Sequence, residues 1–141
     1  MAVVYKSDSV NTTAPSSQPI RVLLVENHRL IRQELRNMVN ASGEFTMVGE
    51  AENGELACVL AQQLQPDVIL MDVSMPRMNG IEATRWIKTT LPQVVIIGLS
   101  VYLSADVAQD MRAAGTSAYL TKDTSPEDLY QAIHSALLKL N

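Results

Sequence analysis

Apolar residues follow two patterns that alternate along the chain, namely short continuous runs and stretches with helical spacing. The run 68–71 consists of apolar residues only and predicts a strand that is buried on both faces. In the stretch 28–40, Ile31, Leu35 and Val39 recur every fourth residue, which is typical of the inner face of a helix. The alternation predicts strands at 20–25, 45–51, 68–71, 94–99 and 117–121 and helices at 28–40, 53–63, 81–89, 105–114 and 125–140.

Strands that alternate with helices in this way indicate a doubly wound α/β domain, in which right-handed crossovers cover both faces of a parallel sheet. For a chain of 141 residues the natural strand order is 2-1-3-4-5. Residues 1–19 mix Ser, Thr, Asn, Gln and Pro without a sustained period. We therefore expect residues 1–19 to be a flexible tail or linker and residues 20–141 to form the domain.

Composition excludes several classes of function. The net charge is −4 and Lys and Arg do not cluster, so this segment is not expected to bind nucleic acid. No apolar run approaches the roughly 20 residues that span a bilayer. The single cysteine, Cys58, is expected in the core and excludes a disulfide framework. These features, with the lack of a signal-peptide pattern, predict a reducing, cytoplasmic setting.

The predicted strands end in residues that carry chemistry. Glu26 and Asn27 follow the first strand, Asp72 the third, Ser100 the fourth and Lys122 the fifth. Because open α/β sheets hold ligands at the carboxyl ends of their strands, these side chains are expected to converge. Carboxylate and amide oxygens suit Mg²⁺, while the hydroxyl and the ammonium can hold phosphoryl oxygens. The sequence therefore predicts a phosphoryl acceptor site.

Residues 20–141 resemble the receiver domains of response regulators in two-component signalling, and in particular the NarL/FixJ-like subgroup. Three segments carry the resemblance, and they are Asp72-x-x-Met75-Pro76-x-Met78-x-Gly80, Leu99-Ser100, and Ala118-Tyr119-Leu120-x-Lys122 with Asp123 after it. The resemblance implies a flavodoxin-like (βα)5 fold that binds Mg²⁺ and takes part in phosphorelay.

The resemblance also assigns roles to individual residues. Asp72 would be the phosphoacceptor, and Lys122 and Ser100 would assist the transfer. Ser100 and Tyr119 would switch conformation together, and Tyr102 would influence the lifetime of the phosphoryl group and contact with partners.

For the metal, the resemblance implies ligands from Glu26, Asn27, Asp72 and the backbone carbonyl of Ser74. The family has a pair of acids after the first strand, and Asn27 stands where the direct metal-binding aspartate usually lies. An amide oxygen coordinates a cation without the Coulomb attraction of a carboxylate. We therefore expect weakened Mg²⁺ affinity and reduced phosphorylation.

The implied phosphodonor is a histidine kinase or a histidine phosphotransfer protein, and the output domain or partner protein lies outside this chain. A homodimer is expected to use the face of helix four, strand five and helix five. The domain is not expected to be an enzyme beyond its own phosphorylation and dephosphorylation. His28 and His134 are expected to have no partner and to play no part as phosphodonors.

Two other functions stay open at this point. A pseudo-receiver would keep the fold as an interaction module and lose the chemistry, and Glu26-Asn27 is its best support. A phosphatase of the haloacid-dehalogenase type would also use an aspartate at a strand end with Mg²⁺. That class places a second acid two residues later, where this chain has Ser74.

Overall fold

The computed structural model describes residues 2–5, 18–75 and 77–139. Its strands are β1 (Ala2–Val4), β2 (Ile20–Val25), β3 (Phe45–Ala51), β4 (Val68–Asp72), β5 (Val95–Ser100) and β6 (Ala118–Thr121). Its helices are α1 (Arg29–Ala41), α2 (Gly54–Leu64), α3 (Gly80–Thr90), α4 (Ala105–Ala114) and α5 (Pro126–Leu138). The last helix was predicted to reach Leu140, which lies outside the described residues.

The strands form one six-stranded sheet in the order β1-β3-β2-β4-β5-β6. Four pairs are parallel, namely β3 with β2, β2 with β4, β4 with β5, and β5 with β6. Counted over the predicted strands alone, this order is 2-1-3-4-5, so the doubly wound, flavodoxin-like fold is confirmed. None of the helices in the described ranges is long and apolar enough to cross a membrane.

Alternate residues of the central strands enter two separate cores, one on each face of the sheet. Ile69 and Met71 pack with apolar residues of α2, α3 and α4, whereas Val68 and Leu70 pack with those of α1 and α5. Every residue of β4 is buried as a result. This two-sided burial explains why the strand is a continuous apolar run rather than an alternating one.

A capping motif and a glycine fix the start of α3 next to the end of β4. The side chain of Asn79 accepts from the Glu82 N–H, and Glu82 bonds back in a capping box at the start of α3. Gly80 begins this helix directly against β4, and a Cβ atom there would lie 2.1 Å from the carbonyl oxygen of Asp72. The glycine therefore lets α3 start beside Asp72. Pro76 of the same motif lies outside the described residues.

The N-terminal strand was not predicted. Ala2–Val4 pairs antiparallel with β3, opposite Ala51, Glu50 and Gly49. The expected flexible tail over 1–19 therefore does not hold for Ala2–Val4, while residues 1 and 6–17 lie outside the described part of the chain. The pairing satisfies backbone groups that β3 would otherwise expose at the edge of the sheet.

Candidate functional site

The register of the sheet brings the ends of four strands to one edge. Val25 pairs with Met71, and Asp72 pairs with Leu99. Glu26 therefore follows β2 at the level where Asp72 ends β4. Lys122 follows β6 and donates its backbone N–H to the Ser100 carbonyl at 2.8 Å.

An ammonium group bridges two buried carboxylates at this edge. Lys122 Nζ lies 2.9 Å from Asp72 Oδ1 and 2.9 Å from Glu26 Oε1. Glu26 is 0% exposed, Asp72 1%, and the Lys122 side chain 7%. Burying a charge is costly unless an opposite charge pairs with it, and here two negative charges share one positive charge. The three groups together carry one excess negative charge.

The excess charge affects the protonation of Asp72. Burial, and next the charge of Glu26, raise the pKa of Asp72 from 3.8 to about 6. The Lys122 ammonium and the Ser74 backbone N–H, which donates to Asp72 Oδ1 at 3.2 Å, act in the opposite direction. The carboxylate is therefore the main form at neutral pH, and its charge is incompletely neutralised.

Within the described part of the chain, two oxygens at the site lack a hydrogen-bond donor in addition to Glu26 Oε1, which pairs with the Lys122 ammonium. Asp72 Oδ2 and Asn27 Oδ1 are buried and have no hydrogen-bond partner among the described residues. An unpaired buried acceptor is costly unless a cation or a donor reaches it. These oxygens are therefore suitable ligands for a hard cation.

The predicted switch residues lie at the end of β5, in the loop that follows it and on the neighbouring strand β6. The Tyr119 hydroxyl donates to the Tyr102 backbone carbonyl at 3.3 Å, and Tyr102 is 78% exposed. Ser100 is half-buried at the end of β5. Tyr119 is thus tied to the loop that follows Ser100.

Comparison with known proteins identifies the family. The family model for the response regulator receiver domain matches residues 22–134. The chain is 43% identical over 83% of its length to the uncharacterized transcriptional regulatory protein YxjL of Bacillus subtilis, covering 54% of that protein. It is 36% identical over 86% of its length to the nitrate/nitrite response regulator protein NarL of Escherichia coli, covering 56% of it.

The chain belongs to the response regulator receiver domain family. The response regulator domain of Thermotoga maritima CheB agrees, with a TM-score of 0.80 and 30% identity over 86% of this chain and 98% of that one. The similarity to NarL is consistent with the NarL/FixJ-like subgroup. The chain spans about half the length of the curated relatives it matches, 54% and 56% of the two named above.

Receiver domains generally bind Mg²⁺, and the residues present fit that ion. Mg²⁺ takes oxygen ligands and is commonly bound by one or two carboxylates with several retained waters. The unpaired oxygens of Asp72 and Asn27 offer one carboxylate and one amide ligand. Ser74, predicted to contribute its carbonyl, is exposed in the turn after β4.

His28 contacts the site of this receiver domain, which the sequence pattern did not predict. His28 Nδ1 lies 3.1 Å from Glu26 Oε2, and the His28 backbone N–H donates to the same oxygen at 3.0 Å. The expectation that His28 and His134 have no partner is wrong, since His134 Nε2 lies 3.0 Å from Glu44 Oε1. Its place in the sequence could have indicated the contact with Glu26, because His28 follows Glu26 by two residues and directly precedes α1.

Arg32 was missed as well. Its NH1 group donates to the Glu26 backbone carbonyl at 2.7 Å, and its Nε lies 3.2 Å from Glu50 Oε1. The Glu50 carboxylate also accepts hydrogen bonds from Arg36 NH1, at 3.0 Å, and from the Tyr5 hydroxyl. The N-terminal strand therefore contacts the segment that carries Glu26 through one buried carboxylate.

Proposed function

We propose that this receiver domain accepts a phosphoryl group on Asp72 from a histidine kinase or a histidine phosphotransfer protein, in the cytoplasm. The observation that carries the proposal is the setting of Asp72. Its carboxylate is buried at the end of β4, with one oxygen 2.9 Å from Lys122 Nζ and the other without a partner among the described residues. One oxygen is thus held in place while the other is available for attack.

In the proposed reaction an Asp72 oxygen attacks the phosphorus of a phosphohistidine. The new O–P bond forms as the P–N bond breaks, and the electron pair of that bond returns to the imidazole nitrogen. With a pKa of about 6, Asp72 is mostly ionised at neutral pH and needs no base to activate it. The Asp72 carboxylate loses its charge when it forms the acyl phosphate. Lys122 Nζ is then close enough to pair with a phosphoryl oxygen instead.

A divalent cation would be held by Asp72, Asn27 and the Ser74 carbonyl, with Glu26 beside them. When bound, Mg²⁺ supplies positive charge that offsets the repulsion between the carboxylate and the incoming phosphoryl group. Asn27 provides an oxygen without a charge, so this receiver is expected to bind Mg²⁺ weakly and to be phosphorylated slowly.

Phosphorylation is proposed to change the surface formed by α4, β6 and α5. Ser100 would bond a phosphoryl oxygen, and Tyr119 would leave the Tyr102 carbonyl to follow it. Val101, Tyr102 and Leu103 are exposed next to Ser100. A shallow cleft of about 680 Å³ between Leu103, Tyr119 and α5 continues this surface. We propose it as the contact face for an output domain, a partner protein or a second copy.

Two further functions remain as outcomes of the test. The amide at Asn27 favours the pseudo-receiver, which would keep the partner face without phosphorylation. The match of residues 22–134 to the receiver-domain family does not favour a phosphatase of the haloacid-dehalogenase type, and we propose that the domain turns over no external substrate. The output is proposed to be transcriptional, because YxjL and NarL are named as a transcriptional regulatory protein and a response regulator.

Incubation with a small acyl phosphate and Mg²⁺, followed by intact mass spectrometry, tests the proposal. A single, slowly hydrolysed phosphoryl adduct is expected in the parent and in Asp110→Asn, whose exposed aspartate lies in α4. Asp72→Asn should give no adduct. No adduct in the parent would identify a pseudo-receiver, and release of phosphate without an adduct would identify a phosphatase.

A further inference from the structure

His28 extends the cluster of ligand atoms at the end of the sheet. One ligand atom each from Glu26, His28 and Asp72 lies within 4.8 Å of the other two. Atoms that share a metal ion at about 2.1 Å lie at most about 4.2 Å apart. The spacing of the three atoms is therefore close to that of ligands that share one ion.

The cluster has a feature that points to a ligand. Asp72 is 1% exposed, and its Oδ2 atom has no donor within the described ranges. Asn27 Oδ1 is unpaired in the same way. Lys122 Nζ lies 2.9 Å from Asp72 Oδ1 and also contacts both oxygens of Glu26, at 2.9 and 3.1 Å. Asp72 Oδ2 and Asn27 Oδ1 are the buried oxygens that a cation can bind without displacing a hydrogen-bond donor.

The oxygen ligands alone fit Mg²⁺, but the imidazole of His28 adds a ligand that favours a different class of ion. Mg²⁺ prefers oxygen ligands and gains from each carboxylate charge, and the amide of Asn27 offers none. Imidazole suits Zn²⁺, Co²⁺ and other first-row transition metals, and these bind mixed nitrogen and oxygen sites more tightly. His28 Nδ1 already faces Glu26 Oε2 at 3.1 Å, and the His28 side chain is 60% exposed.

We propose that His28 completes a nitrogen and oxygen site with Glu26, Asn27 and Asp72 that binds first-row transition-metal dications such as Zn²⁺ and Co²⁺ in preference to Mg²⁺. The inference rests on the metal site of the proposed function and not on phosphoryl transfer. It makes His28 the residue that sets the choice of metal.

Metal titrations without any phosphodonor test the inference. Zn²⁺ and Mg²⁺ affinities are measured by calorimetry, and Co²⁺ by the visible absorption that nitrogen ligation produces. The parent should bind Zn²⁺ more tightly than Mg²⁺, and His28→Gln should lower the ratio of the two affinities by roughly tenfold or more. His134→Gln is the matched control, because His134 also pairs with a glutamate but lies away from the site. It should leave the ratio unchanged.

Each outcome decides the question. An unchanged ratio in His28→Gln, or an equal loss in His134→Gln, would overturn the inference. Circular dichroism of each variant establishes that it is folded, and His28→Asn provides a second substitution if His28→Gln is not. Phosphorylation of the parent is measured separately with Mg²⁺. Failure there, with metal preference still dependent on His28, would reject the proposed function and leave this inference standing.

Discussion

Asp72 is held by opposing electrostatic effects. Burial and the Glu26 carboxylate disfavour its charged form, while Lys122 and the Ser74 N–H favour it. Their balance leaves a pKa of about 6, which is above the ordinary value of 3.8. The folded state therefore binds a proton more tightly than the unfolded state does. Stability from this residue is complete below pH 4 and is lost as pH rises through 6.

Asp72→Asn removes that pH dependence. A shift of about 2 pH units corresponds to about 3 kcal/mol. The free energy of unfolding of the variant, relative to the parent, should therefore rise by up to about 3 kcal/mol between pH 4 and pH 7.5. Urea unfolding in metal-free buffer measures it. A difference that stays constant across this range would show that Asp72 titrates normally.

Asn27 stands where the family resemblance implies an acid that binds the metal directly. A unit charge at 4 Å is worth about 1 kcal/mol even in bulk water, or about fivefold in affinity. Asn27→Asp should therefore raise Mg²⁺ affinity at least about fivefold and speed phosphorylation by acyl phosphate. Calorimetry and intact mass spectrometry measure the two. Asn37→Asp, on the exposed face of α1, is the control that changes net charge equally. Equal effects of both substitutions would assign the change to net charge alone.

At the scale of elements, the N-terminal strand β1 is linked to the site through α1. The Tyr5 hydroxyl donates to Glu50, which is 2% exposed and is paired with Arg32 and Arg36. Arg32 in turn holds the Glu26 carbonyl. These contacts depend on β3, which supplies Glu50 and pairs with both β1 and β2. The added strand therefore stabilises the end of the sheet that carries Glu26.

Tyr5→Phe tests this link. The substitution removes one donor to a buried carboxylate and keeps the ring, so the free energy of unfolding should fall by about 1 to 2 kcal/mol. Tyr102→Phe is the control, because Tyr102 is 78% exposed. Chemical denaturation of both variants gives the comparison. An equal effect of the two substitutions would mean that the contact between Tyr5 and Glu50 adds no stability.

At the scale of the whole molecule, the fold could be predicted because its pattern is local. Apolar runs such as 68–71 and capping residues such as Ser125 lie within single elements, and the strand-end rule then places Glu26, Asp72 and Lys122 near one another. The N-terminal strand could not be predicted in this way. Ala2–Val4 has too few residues for a period, and its stability comes from pairing with β3 far along the chain.

The same reason explains the missed site residues. His28 belongs to the site through Glu26 Oε2, and Arg32 through the Glu26 carbonyl and Glu50. The contacts of Arg32 depend on how α1 lies against β2 and β3, which helical spacing does not specify. The contact of His28 is local, but it depends on the backbone conformation between β2 and α1, which the apolar pattern does not specify either. Sequence spacing therefore predicted that Asp72 and Lys122 lie together, but not which neighbours contact them.

The central claim is that the phosphoryl group attaches to the Asp72 side chain. Borohydride reduces an acyl phosphate to an alcohol, so a phosphorylated aspartate becomes homoserine. After reaction with an acyl phosphate and Mg²⁺, reduction and peptide mass spectrometry should find homoserine at position 72 and at no other aspartate. Homoserine elsewhere, or phosphate retained on a histidine, serine or threonine while Asp72 stays unmodified, would contradict the account.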